Sequence, residues 1–158
     1  MKKYPIWIFT LLALMVVNVQ IYQKEQTLKN GQTVLLELVP VDPRSLMQGD
    51  YMELRYALTS HVKRDDLGNK GKVIVNIDQE LQGIFVRLDD NTPLAAHEHR
   101  LIYRNRRGLR LGAESFFFQE GTAEIYDKAK YGELKVDKAG NSILVGLRDE
   151  NKARLGVN

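Results

Sequence analysis

The 158 residues contain no cysteine, which excludes disulfides, thiol catalysis and cysteine-based zinc sites. Histidine is nearly as scarce: there are three, His61, His97 and His99. His97 and His99 would share one face of a strand, but the third ligand a metal site needs is not near them in sequence. They are read as exposed residues of a polar segment after Pro93, and no metal or cofactor is expected. A strong charge of one sign is also lacking. Lys and Arg number 23 against 20 Asp and Glu, and Lys2 and Lys3 at the N-terminus account for most of the excess. Binding to nucleic acid needs a concentrated basic face, so no nucleic-acid partner is expected. Five arginines do crowd between Arg100 and Arg110. They alternate with Leu101, Tyr103, Leu109 and Leu111, which describes the wet side of a hairpin, with anionic lipid headgroups as the other reading. Repeats and low-complexity segments are absent as well.

What is present is an apolar N-terminus and a balanced remainder, with 44% hydrophobic and 27% charged residues overall. That composition suits one folded domain with a core plus a short appendage. Ile6 to Tyr22 carries no charge over 17 positions, slightly short of a roughly 30 Å hydrocarbon layer at about 1.5 Å per residue. Trp7 and Tyr22 fall near its ends, where aromatic rings favour the membrane interface. The sequence divides into a cytoplasmic tip (1–4), a transmembrane anchor (5–22), a polar linker (23–32) and an outer domain (33–158). Lys2 and Lys3 should remain in the cytoplasm by the positive-inside rule, although Lys24 and Lys29 pull the other way. The expected topology is single-pass, with the N-terminus in the cytoplasm and the C-terminal domain outside it. Bulky Val19-Gln20-Ile21-Tyr22-Gln23 offers no small-residue cleavage site for a signal peptidase. Asn18 and Gln20 inside the span are either wet at the outer interface or bonded to another transmembrane helix.

The outer domain reads as mainly β: a compact antiparallel sandwich or barrel-like domain of about eight strands with one short helix. Thr33 to Val39 is apolar on both parities, as in a strand buried on both faces, and Pro40 stops it. In Tyr51 to Tyr56, Met52, Leu54 and Tyr56 fall on one parity and Tyr51, Glu53 and Arg55 on the other, so the first set should face the core. His61 to Gly71 is a charged loop. Lys72–Asp78 with Gly83–Asp89, and Arg100–Arg104 with Leu109–Gly112, are hairpins. Ser115–Phe118 is expected as a buried strand. Glu120 to Lys130 is expected as a helix, with Thr122 as N-cap and Gly132 as terminator. Glu133–Asp137 and Ser142–Leu147 close the chain as a last hairpin.

Between the first two strands lies Pro40-Val41-Asp42-Pro43-Arg44-Ser45-Leu46-Met47-Gln48-Gly49-Asp50. Two prolines stiffen this loop, and Asp42 before Pro43 is pushed out of the α region. One reading makes it a turn, with Gly49 at positive φ, Asp50 accepting backbone amides, Arg44 paired to an acid, and Tyr51 and Tyr56 packed. The other makes Asp42, Pro43, Arg44 and Asp50 an exposed contact surface displayed by a rigid scaffold. Neither supplies a nucleophile with its base. Asp89-Asp90 is likewise read as a turn, not as a glycosidase pair.

Gly49-Asp50-Tyr51-Met52-Glu53-Leu54-Arg55-Tyr56 fits the pattern G-D-Y-x-x-L-x-Y. With the Pro40-Val41-Asp42-Pro43-Arg44 lead-in and the later Phe117-Phe118-Gln119-Glu120-Gly121, the chain resembles the GDYXXLXY proteins, a family of bacterial membrane-anchored proteins. The resemblance spans nearly the whole chain and implies the bacterial cytoplasmic (inner) membrane with a periplasmic domain, and association with a multi-pass integral membrane protein; it brings no catalytic residues with it. Candidate contact residues are therefore Asp42, Pro43, Arg44, Gly49, Asp50, Tyr51, Leu54, Tyr56, Glu120 and Gly121. A binding or accessory domain without enzymatic activity is the expected function. The alternative is an envelope hydrolase using Asp50 or Glu120. Type I signal peptidases also pair an N-terminal anchor with an outer β domain. Ser45 stands too close to Gly49 for their nucleophile, and no lysine occupies a recognisable base motif, so that mechanism is not expected.

Overall fold

In the computed structural model, residues 4–39, 51–63, 66–105 and 108–156 are described. Helix α1 runs from Tyr4 to Asn30 without a break. Its apolar side chains from Ile6 to Tyr22 point outward all round, and none of its most apolar 18-residue stretch is buried by the rest of the chain. A helix this apolar on every side is long enough to cross a membrane. Its polar side chains are satisfied within the helix: Thr10 Oγ1 donates to Ile6 O at 2.9 Å, and Asn18 Nδ2 to Leu14 O at 2.8 Å. Asn18 therefore spends a donor on its own helix, which neither expectation for it foresaw.

The expected linker at 23–32 is instead mostly the last two turns of α1. Gln23 to Asn30 stays helical because this end packs on the domain, with Thr27 only 5% exposed. One residue, Gly31, separates α1 from the first strand. A side chain there would stand 2.3 Å from Thr27 O, so only glycine fits so close a turn.

Among the described residues the domain has nine strands: β1 (Gln32–Glu37), β2 (Tyr51–Glu53), β3 (Lys70–Ile77), β4 (Gly83–Leu88), β5 (Glu98–Asn105), β6 (Leu109–Arg110), β7 (Ser115–Phe117), β8 (Tyr131–Val136) and β9 (Ser142–Arg148). A 3-10 helix, Ala57–His61, follows β2, and a single helical turn, α2 (Ala123–Tyr126), follows β7. Three sheets form in the orders β1-β8-β9, β2-β7 and β4-β3-β5-β6, with every strand pairing antiparallel. All three expected hairpins are present.

Leu35 joins the two larger sheets. It forms a parallel bridge with Gln82, and its amide donates to Leu81 O at 2.7 Å, so the strands curl into a half-barrel. Val34 and Leu36 point into the main core, while Leu35, on the other face, is equally buried. The continuous apolar run of β1 reflects this double burial. Leu134 and Leu147 of the same sheet and Val73, Val75 and Leu101 of the four-stranded sheet complete the main core.

Four local expectations are corrected. Ser115–Phe118 is not a buried strand: β7 is a short edge ribbon, and Phe117 is 73% exposed. The helix expected over Glu120–Lys130 is reduced to one turn: Tyr126 and Ala129 pack on the core, but Ile125 is left 44% exposed. Thr122 does not cap that turn; its hydroxyl donates backward to Gln119 O at 2.6 Å. Gly132 ends no helix but lies in β8, where a side chain would come within 3.0 Å of the Tyr56 ring.

Candidate functional site

The strand that carries the tyrosine motif is shorter than its sequence pattern. β2 stops at Glu53; Leu54 and Arg55 leave the ladder, and Tyr56 makes an isolated bridge with Leu38. Parity nevertheless holds. Leu54 and Tyr56 are 2% and 1% exposed, Met52 is half-buried, and Tyr51, Glu53 and Arg55 face outward.

Tyr56 is the largest side chain sealed in the core, and its hydroxyl donates to Ala113 O. Burial, and secondarily the nearby Glu114 carboxylate, hold the phenol far above the usual tyrosine range, so it stays neutral. Its acceptor is fixed in turn by Glu114. That carboxylate accepts the amides of Leu111 and Gly112, while Glu114 O accepts the Leu54 amide at 2.7 Å. The motif's last two positions and the 111–114 turn therefore form one hydrogen-bonded unit.

A cleft of about 560 Å³ opens beside this unit, lined by Glu53, Arg55, Thr59, Ser60, Arg110 and Glu114 among others. Both of its carboxylates are already engaged. Arg110 Nη2 lies 3.3 Å from Glu53 Oε1, and Glu114 is taken by the turn amides. Among the described residues no group of three or more histidine or carboxylate side chains is placed to hold a metal.

On the outer side of the ribbon the picture is the reverse. The Tyr51 and Phe117 rings face each other at 5.7 Å between centroids, tilted by 39°, on the pair that opens the β2–β7 register. Tyr51 is 42% exposed. Their neighbours Phe116, Phe118 and Tyr126 form a separate aromatic cluster, with centroids 5.0 to 6.5 Å apart, that includes core-packed Phe116 and Tyr126. The ribbon thus carries an aromatic cluster against the core and an aromatic pair in the open.

Asp42, Pro43, Arg44, Gly49 and Asp50 lie outside the described residues, as do Arg106 and Arg107. Glu120 is exposed in a turn, and Gly121 follows it at φ +80°, a backbone state that favours glycine. Of the remaining arginines in the expected basic run, Arg100 is committed to Asp89 at 2.8 Å and Arg110 to Glu53, while Arg104 is exposed and in no ion pair among the described residues. His97 is exposed, and His99 is half-buried with its pKa lowered by burial and by His97. Phe117 was missed as a surface residue, because three consecutive phenylalanines give no alternation from which to tell the outer one.

A family model described as GDYXXLXY protein matches residues 13–147. No curated protein and no solved structure matches the chain significantly.

Proposed function

The chain belongs to the GDYXXLXY family, and from that premise we propose that it is a membrane-anchored accessory domain that binds an integral membrane protein in the bacterial envelope. The carrying observation is the open Tyr51–Phe117 pair. A large aromatic left 73% exposed beside a second ring, on a ribbon whose other aromatics pack together, is the composition of an interface centre. Gly49-Asp50 immediately precedes Tyr51 in sequence, and Asp42 to Asp50 are proposed as contact residues together with the ring pair. In this reading α1 is the anchor, residues 1–4 are cytoplasmic, and the domain is periplasmic.

A binding role accounts for the cleft better than hydrolysis does. Its two carboxylates serve structural partners; of the two carboxylates considered for catalysis, Glu120 stands exposed in a turn and Asp50 lies outside the described residues. The test is affinity purification of the full chain from native membranes in mild detergent. A multi-pass protein should copurify with the wild type and be lost from Phe117→Ser, Arg44→Ala and Asp50→Ala while these variants stay folded. Retention of every copurifying protein by all three would overturn the contact assignment. A reporter active only outside the cytoplasm, fused after Asn158, checks the orientation.

A further inference from the structure

The end of α1 and the turn between β8 and β9 enclose a second cleft, of about 570 Å³. Tyr22, Gln26 and Asn30 form one wall, and Lys138, Ala139 and Asn141 the other. The two walls are tied together. Thr27 Oγ1 lies 3.1 Å from Gln23 O and 3.4 Å from Asp137 Oδ2, and Lys135 Nζ donates to Thr33 Oγ1 at 2.9 Å and to Gly31 O at 3.4 Å. With Gly31 as the only residue between helix and strand, the turn is held at a fixed position along the helix.

That position sets its depth in a bilayer. The uncharged stretch ends at Tyr22, which marks the edge of the hydrocarbon layer. The headgroup region beyond it is about 5–8 Å thick on each side. At about 1.5 Å per residue, Gln26 stands roughly 6 Å above Tyr22 and Asn30 roughly 12 Å. The lower half of the cleft therefore opens among the headgroups. Lys138 is exposed at its rim and takes part in no ion pair among the described residues. The adjacent Asp137 makes no ion pair with it: that carboxylate stays charged but accepts Ala139 N, Asn141 N and Asn141 Nδ2, each within 2.9 Å.

We propose that this cleft seats the phosphate of a glycerophospholipid from the leaflet on the domain's side, with Lys138 Nζ supplying the positive charge. The Tyr22 ring and Ala139 give the seat an apolar floor and rim suited to the glycerol and upper acyl chain. This seat rests on the anchor reading above and adds to it a specific lipid contact that holds the domain against the membrane.

The absence of cysteine makes single-site labelling direct. The full chain, spin-labelled at Ala139→Cys or at Phe117→Cys, is reconstituted in phosphatidylcholine vesicles with or without phosphatidylglycerol, and relaxation by a headgroup-chelated paramagnetic ion is measured. Relaxation at position 139 should exceed that at position 117 several-fold. It should rise with phosphatidylglycerol, fall at least two-fold when Lys138→Glu is added, and resist excess inorganic phosphate. Equal relaxation at the two positions, no effect of Lys138→Glu, or displacement by inorganic phosphate would overturn the seat while the protein still floats with the vesicles. Failure to float, or extraction by alkaline carbonate, would instead overturn the anchor.

Discussion

Tyr51 and Phe117 sit opposite each other at the start of the β2–β7 register, rings 5.7 Å apart, while five residues along the same chain Tyr56 is buried to 1% exposure. One short stretch thus carries both the residue that fixes the fold and the residue offered to a partner. The two roles should separate on mutation.

Phe117→Ser removes exposed surface and one face-to-face contact. Its effect on stability should stay within about 0.5 kcal/mol, as for surface substitutions generally. Thermal unfolding of the full chain in detergent, set beside the copurification measurement, checks that binding is lost without loss of fold.

Tyr56→Phe keeps the ring but strands Ala113 O without its donor in the core. The cost should be about 1–3 kcal/mol. Tyr56→Ala also opens a cavity beneath Gly132 and should cost about 3–5 kcal/mol. Denaturant unfolding of the two variants gives both numbers, and a near-neutral Tyr56→Phe would show that the hydroxyl is not satisfied as described.

Glu133 is 6% exposed and takes Arg148 Nε at 3.0 Å and Arg154 Nε at 3.5 Å. Removing it leaves two guanidinium groups short of their partner near the C-terminus. Because the Arg154 side chain is 44% exposed, water recovers part of the loss. Glu133→Ala should cost about 1–3 kcal/mol in the same assay, with Arg154→Ala costing less than Arg148→Ala.

Acid should weaken the domain in two stages. Burial, with His97 adding to it, lowers the pKa of His99, so the neutral form is favoured in the fold. Stability is then lost as pH falls from about 6.5 through the lowered value. The second stage belongs to carboxylates. The Arg100 hydrogen bond holds Asp89 below the usual range; burial works to raise Asp137, but hydrogen bonds from Asn141, Ala139 and Gly140 outweigh it. Their contributions are complete above about pH 4 and disappear below it. Unfolding followed against pH should show His99→Gln flattening the upper stage alone, and Asp137→Asn the lower.

The sequence made the strands legible wherever side chains alternate or run apolar between turns. β1 follows from an unbroken apolar run, the β3–β4 and β8–β9 hairpins from strand-like runs between turns, and the inward parity of Leu54 and Tyr56 from period-two patterning. It was silent where tertiary contact overrides composition. Gln23–Asn30 looks like a linker by polarity, yet Thr27 has a partner 110 residues away that keeps the segment helical. Glu120–Lys130 shows the opposite case, with helix-favouring residues of which only Tyr126 and Ala129 pack on the core while Ile125 stays exposed. The contact pair was half visible: parity turned Tyr51 outward, but its partner Phe117 lies in a run of three phenylalanines that gives no sign of which ring is left outside.

The most direct test of a partner-binding surface is photo-crosslinking in intact membranes, with a photoreactive phenylalanine analogue in place of Phe117 in the full chain. The account predicts a discrete adduct with an integral membrane protein, abolished when Arg44→Ala and Asp50→Ala are introduced together. Crosslinks to lipid alone, or an adduct unchanged by that double substitution, would contradict it.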